Sequence, residues 1–164
     1  MSPLGSFHTV AASIALASGA AVLIRRKGTR WHRRAGWTYA VSMILLNVTA
    51  LMIYRLFGYF GPFHVAAVLS LATVSGGTIA AVRRRPRGKW IETHFYLMAF
   101  SYVGLVAAAF AEVATRVPGA RFWWVVLVVS FLIILVGTRW IKSRAADMLR
   151  PFARRQKEEL ADFA

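Results

Sequence analysis

Five stretches of about 17 to 21 mostly apolar residues, each separated from the next by a short basic or turn-forming gap, run through most of the chain. At 1.5 Å of rise per residue, a stretch of that length crosses a hydrocarbon core of about 30 Å as a helix. The expected spans run from about Leu4 to Ile24, Ala35 to Tyr54, Phe63 to Val82, His94 to Val113 and Phe122 to Gly137. The fold class this implies is all-α, an integral membrane helical bundle.

The net charge of +15 would suggest nucleic acid in a soluble chain, but here the basic residues sit in the gaps between apolar stretches. There they read as topology determinants and as partners for anionic lipid headgroups, and no nucleic-acid partner is expected. The first gap, the third gap and the tail hold 18 of the 21 Lys and Arg; the second and fourth hold only Arg55, Arg116 and Arg121. By the positive-inside rule the N-terminus lies outside and the tail in the cytoplasm, which an odd number of spans satisfies. No Lys or Arg precedes Arg25, so the first span reads as retained rather than as a signal peptide. With no cysteine, thiolate ligands, disulfides and thiol nucleophiles are excluded.

The first four spans look like a doubled hairpin. Phe7-His8 and Phe63-His64 each open a span rich in small residues that ends in an arginine cluster, and each following span has a histidine, His32 or His94, at its cytoplasmic start. A parallel repeat of this kind has its pseudo-two-fold along the membrane normal, which would bring His8 toward His64 outside and His32 toward His94 inside. The expected organisation is a four-helix core over residues 1–113, a fifth transmembrane helix with its loop over 114–141, and a basic cytoplasmic tail over 142–164.

Helical phase gives each histidine a face. At about 100° per residue His8 shares one with Ala12, Ala15 and Gly19, and His64 with Ala67, Val68, Leu71 and Ser75. Small residues mark close helix approach in a bilayer, so both outer histidines are expected to face the bundle. His94 and Glu112 fall on one stripe with Met98, Ser101, Leu105 and Ala108, while Gly36, Tyr39, Met43 and Ala50 lie near the His32 face, with Asn47 as interhelical glue. The fifth span shows no small-residue stripe and reads as a lipid-facing or oligomer-facing addition.

Two chemistries would use the histidine pairs. A haem b slot needs two imidazoles on facing helices and cations for the propionates; His32 with His94 offers the first and Arg33 with Arg34 the second. A small-ion site needs imidazole and carboxylate at short range, and His8, His64 and Glu112 form a ligand set suited to zinc or copper. The histidines lie at the edge of the apolar core, shallow for a buried macrocycle. Beside these stand a proton-linked or quinone-linked role and a structural reading, in which interfacial histidines sit at headgroup level and Glu112 pairs with Arg116 four residues on.

From Ser143 onward the tail carries Met148, Leu149, Phe152, Leu160 and Phe163 among basic and acidic residues, which fits an amphipathic surface helix interrupted at Pro151 or a solvated tail. Nucleotide fingerprints, zinc-protease motifs and nucleophile elbows are missing from the sequence, so the common soluble-enzyme chemistries have no support and the reaction, if any, stays open.

The His8 span, the stretch Trp31-His32-Arg33-Arg34-Ala35-Gly36-Trp37-Thr38-Tyr39 and the segment His94-Phe95-Tyr96-Leu97-Met98 together resemble bacterial predicted membrane proteins grouped as a domain of unknown function, with a histidine on each of four core helices. A looser likeness, over the same histidines, is to membrane cytochromes with bis-histidine haems and to haem-handling assembly proteins. The first resemblance implies a four-helix core in the bacterial cytoplasmic (inner) membrane, without an assigned activity. The expected function is metal or haem binding through paired histidines. The alternative is a non-catalytic membrane subunit or assembly factor, acting as a homo-oligomer or within a membrane complex.

Overall fold

The computed structural model describes the backbone of residues 2–54, 58–119 and 121–161, and side chains through Phe152. Arg55, Phe163 and the side chain of Leu160 lie outside the described residues. The chain forms α1 (Pro3–Ile24), α2 (Arg30–Met52), α3 (Pro62–Arg83), α4 (Trp90–Ala114) and α5 (Phe122–Ala161), with no strand among the described residues. All five are long and apolar enough to cross a membrane.

Local chemistry explains where the core helices begin. Ser2 Oγ accepts from the Gly5 N–H at 3.2 Å with Pro3 at the first helical position, and Thr29 Oγ1 accepts from the His32 N–H at 3.1 Å. At α3, Pro62 opens the helix and His64 Nδ1 accepts from the Gly61 N–H at 3.1 Å, the part a Glu or Gln takes in a capping box. Because Thr29 caps α2, that helix takes in the basic segment from Arg30 to Arg34 that the apolar pattern had left in the gap. His32 and His94 both therefore lie within regular helix.

Four helices close a ring. α1 packs on α2 and α4, α3 packs on α2 and α4, and the two diagonals, α1 to α3 and α2 to α4, bring no backbones together. Buried Ala11, Ala15 and Gly19 form the inner face of α1, against Tyr39, Ala40 and Met43 of α2, Val74 of α3 and Leu105 of α4. Small residues matter here because association in lipid depends on close contact rather than on escape from water. A Cβ at Gly19 would collide with the Tyr102 ring and come within 3.0 Å of Tyr39. The outward faces carry exposed Val10, Ile14, Leu69 and Phe110, which contact the lipid of the bilayer.

Side chains bridge the α2 to α4 diagonal. Ser101 Oγ donates to the Met98 carbonyl at 2.8 Å, so in the 2.8 Å contact between Tyr39 and Ser101 it is the Tyr39 hydroxyl that donates. Asn47 Nδ2 donates to Ser70 Oγ at 3.2 Å, joining α2 to α3 as an interhelical polar contact.

The fifth helix departs from expectation. It continues without a break through Pro151 to Ala161, across the boundary expected near residue 141, where a separate tail is anticipated. It packs along α4, and Phe122 also meets Phe63 of α3 at 6.2 Å between ring centres. Gly137 lies so close to Val103 that a Cβ there would come within 2.6 Å of it, and buried Ile141 and Ala145 follow at four-residue intervals. A packing stripe thus exists, but it begins where the apolar pattern appears to stop.

Candidate functional site

His32 and His94 meet across the α2 to α4 diagonal. Their ring centres are 6.4 Å apart and their planes nearly perpendicular, at 88°. His94 Nδ1 lies 2.8 Å from the Gly77 carbonyl, which can only accept, so Nδ1 carries the proton and Nε2 keeps its lone pair. An imidazole anchored on a backbone carbonyl in this way is the arrangement that orients a metal ligand. His32 Nδ1 is buried with no hydrogen-bond partner among the described residues. Two metal to nitrogen bonds of about 2.0 Å put the nitrogens at most about 4 Å apart and the ring centres at most roughly 6 Å apart, so the observed separation lies at the wide, near-linear end of what one shared metal atom spans. Coordination fixes the direction of each lone pair and leaves the twist between rings free.

The surroundings of this pair are basic. Lys27, in the α1–α2 loop, donates to the Val22 and Leu23 carbonyls at 2.6 and 2.9 Å, capping the negative end of α1, and burial pulls its pKa below the usual lysine range. It lies within electrostatic reach of His32. Arg25 stands over the Trp31 ring at 5.8 Å, and Arg33 and Arg34 are exposed on the first turns of α2.

The other diagonal is organised differently. Thr49 Oγ1 directs its hydrogen to the Leu45 and Leu46 carbonyls at 2.8 and 2.9 Å, so it accepts from His8 Nδ1 at 3.0 Å, which leaves His8 Nε2 with a lone pair. His64 has the opposite tautomer. Its Nδ1 accepts from the Gly61 N–H, so Nε2 carries the proton and offers a donor rather than a lone pair. Its ring neighbours are Tyr54 and Phe60, at 4.6 and 5.0 Å. Glu112 accepts from Arg116 at 2.7 Å in an exposed ion pair, the structural alternative to ligation. The structure does not gather His8, His64 and Glu112 into one ligand set: among the described residues no three His, Cys, Asp or Glu side chains come within range of a single ion.

Glu112 lies on the exposed side of α4 beside buried Ala107 and Ala111, with its charge within electrostatic reach of His8. Similarly, Val68 of α3 is exposed although Ala67 beside it is buried. A constant phase angle from one end of a long helix does not hold where the neighbouring helix changes.

Two residues that sequence reasoning missed anchor the histidines: Gly77 and Thr49. The Gly76-Gly77 pair was a usable signal, since a Cβ at Gly77 would meet Met98 Sδ at 2.8 Å and Leu97 Cβ at 3.2 Å, marking close approach of α3 to α4. Thr49 gave no signal that separates it from any other threonine in an apolar span.

No curated protein and no solved structure is detectably similar to this chain. Residues 5–147, which take in all but the first two residues of α1, the whole of α2 to α4 and α5 as far as residue 147, match the family described as predicted membrane protein, DUF2306, and the chain belongs to that family of multi-pass membrane proteins.

Proposed function

We propose that this membrane protein holds a metal centre between His32 and His94 at the basic end of its helical bundle. The observation that carries the reading is the 6.4 Å approach of the two rings, with His94 oriented by the Gly77 carbonyl. His94 would bind through Nε2 and His32 through Nδ1, the buried nitrogen that finds no hydrogen-bond partner among the described residues. The shared chemistry is a metal atom accepting two imidazole nitrogens, either a copper or zinc ion completed by outside ligands or the iron of haem b. Lys27, Arg33 and Arg34 would neutralise the propionates in the second case. His8 and His64 are separate from this centre, and Glu112 is not needed by it.

The test is the composition of the full chain purified in detergent, by elemental analysis together with an absorbance scan. A Soret band identifies haem, and copper or zinc near one per chain without a Soret band identifies the small ion. Protein that stays free of both after exposure to haem, copper and zinc removes the proposal.

The charge asymmetry supports an orientation with the N-terminus outside and the His32–His94 end in the cytoplasm of a bacterial cell, with the exposed basic residues against anionic headgroups. A periplasmic reporter fused after Ala164 is expected to be inactive and a cytoplasmic reporter active; the reverse pattern would move the site to the other face.

A further inference from the structure

His64 is the most buried of the four histidines, 3% exposed, and the hydrogen of its Nε2 is buried without a partner among the described residues. A buried donor left without an acceptor is costly to the folded state. The capping bond from the Gly61 N–H to Nδ1 fixes the tautomer, and the rings of Tyr54 and Phe60 pack on the imidazole at tilts of 36° and 31°, so the ring is held with Nε2–H as its one uncommitted polar group among the described residues. Depth identifies the acceptor. α3 is 22 residues long, about 33 Å at 1.5 Å per residue, so its first turn falls at the edge of a hydrocarbon core of about 30 Å, where the carbonyl groups of membrane amphiphiles lie.

We infer that His64 is a binding point for a carbonyl oxygen of a bilayer-dissolved amphiphile, donating to it from Nε2 where α3 enters the membrane. The ligand is either the ester carbonyl of a phospholipid or the ring carbonyl of a quinone. Tyr54 and Phe60, both exposed on their outer sides, are the cover that such a molecule reaches first. This site is independent of the His32–His94 centre.

The experiment uses the full chain in nanodiscs of ester-linked phosphatidylcholine, in nanodiscs of its ether-linked analogue, which lacks the carbonyl, and in the ether nanodiscs with a short-chain quinone added. One hydrogen bond gained by the folded state raises the melting temperature of a chain of this size by about 2–4 °C. If the ligand is a lipid ester, the wild-type protein melts higher in ester than in ether lipid; if it is a quinone, adding quinone to the ether discs restores the difference or creates it. His64→Gln keeps both the cap and a side-chain N–H donor, so it should preserve the shift. His64→Glu keeps the cap acceptor and loses the donor, so it should abolish the shift while the helical circular dichroism and the elution profile stay those of folded protein. Equal melting of the wild type in all three media overturns the inference, and so does a shift that persists in His64→Glu. Should His64→Glu fail to fold, the Nε2 proton resonance of His64 in the wild type decides: it is expected to move between ester and ether lipid or on adding quinone, and an unchanged resonance overturns the inference.

Discussion

Replacing His94 with alanine is expected to lower affinity for the bound metal or haem by at least about 100-fold, and His32→Ala should do the same. Disturbing only the partner that orients a metal-bound histidine already costs about 10- to 100-fold, so losing the ligand itself should reach the upper end of that range or beyond. His8→Ala and His64→Gln belong to the opposite diagonal and should leave metal affinity within about 3-fold. Titration of the four variants with the metal or haem found in the wild type reads the result. Equal losses from all four would mean that the inner pair is not a discrete centre.

The largest effect on stability is expected from Gly19→Leu. Any side chain at Gly19 drives into the Tyr102 ring, which hydrogen-bonds the Leu16 carbonyl at 3.2 Å, and into Tyr39, whose hydroxyl bridges to Ser101. Overpacking of a close helix contact costs about 1–3 kcal/mol, and here the displaced ring also gives up its hydrogen bond, so a loss near 3 kcal/mol and a fall of about 6–12 °C in melting temperature are expected. Gly104→Leu is the matched control, because a Cβ at Gly104 has open space around it and should change stability by less than about 1 kcal/mol. Thermal melts of the two variants in one detergent compare them directly, and similar losses would remove the assignment of Gly19 as the contact that sets the approach of α1.

The physics that made the helices legible did not extend to the site. A run of apolar residues long enough to span a bilayer can be counted, and capping residues such as Ser2 with Pro3 and Gly61 with Pro62 stand in the chain beside the ends they form. His32 and His94 approach to 6.4 Å between ring centres across the α2 to α4 diagonal, where a reading of the first four spans as a doubled hairpin expects them. The same symmetry pointed equally to His8 and His64, yet on that diagonal Thr49 takes the imidazole of His8 and the α3 cap takes that of His64. Those partners depend on tautomer and on local backbone donors, which residue spacing does not encode. On α5 the polarity of Arg139, Lys142 and Arg144 hid the fact that Gly137, Ile141 and Ala145 continue one packed face, because hydropathy averages around the helix and the contact uses a single side of it.

X-ray absorption at the edge of the bound metal, recorded on the full chain in nanodiscs, tests the proposed centre most directly. The outer-shell pattern of two imidazoles bound through nitrogen at about 2.0 Å is expected, with that imidazole contribution halved in His94→Ala loaded with excess metal or haem and unchanged in His8→Ala. A first shell without imidazole, or one that His94→Ala leaves intact, would contradict it.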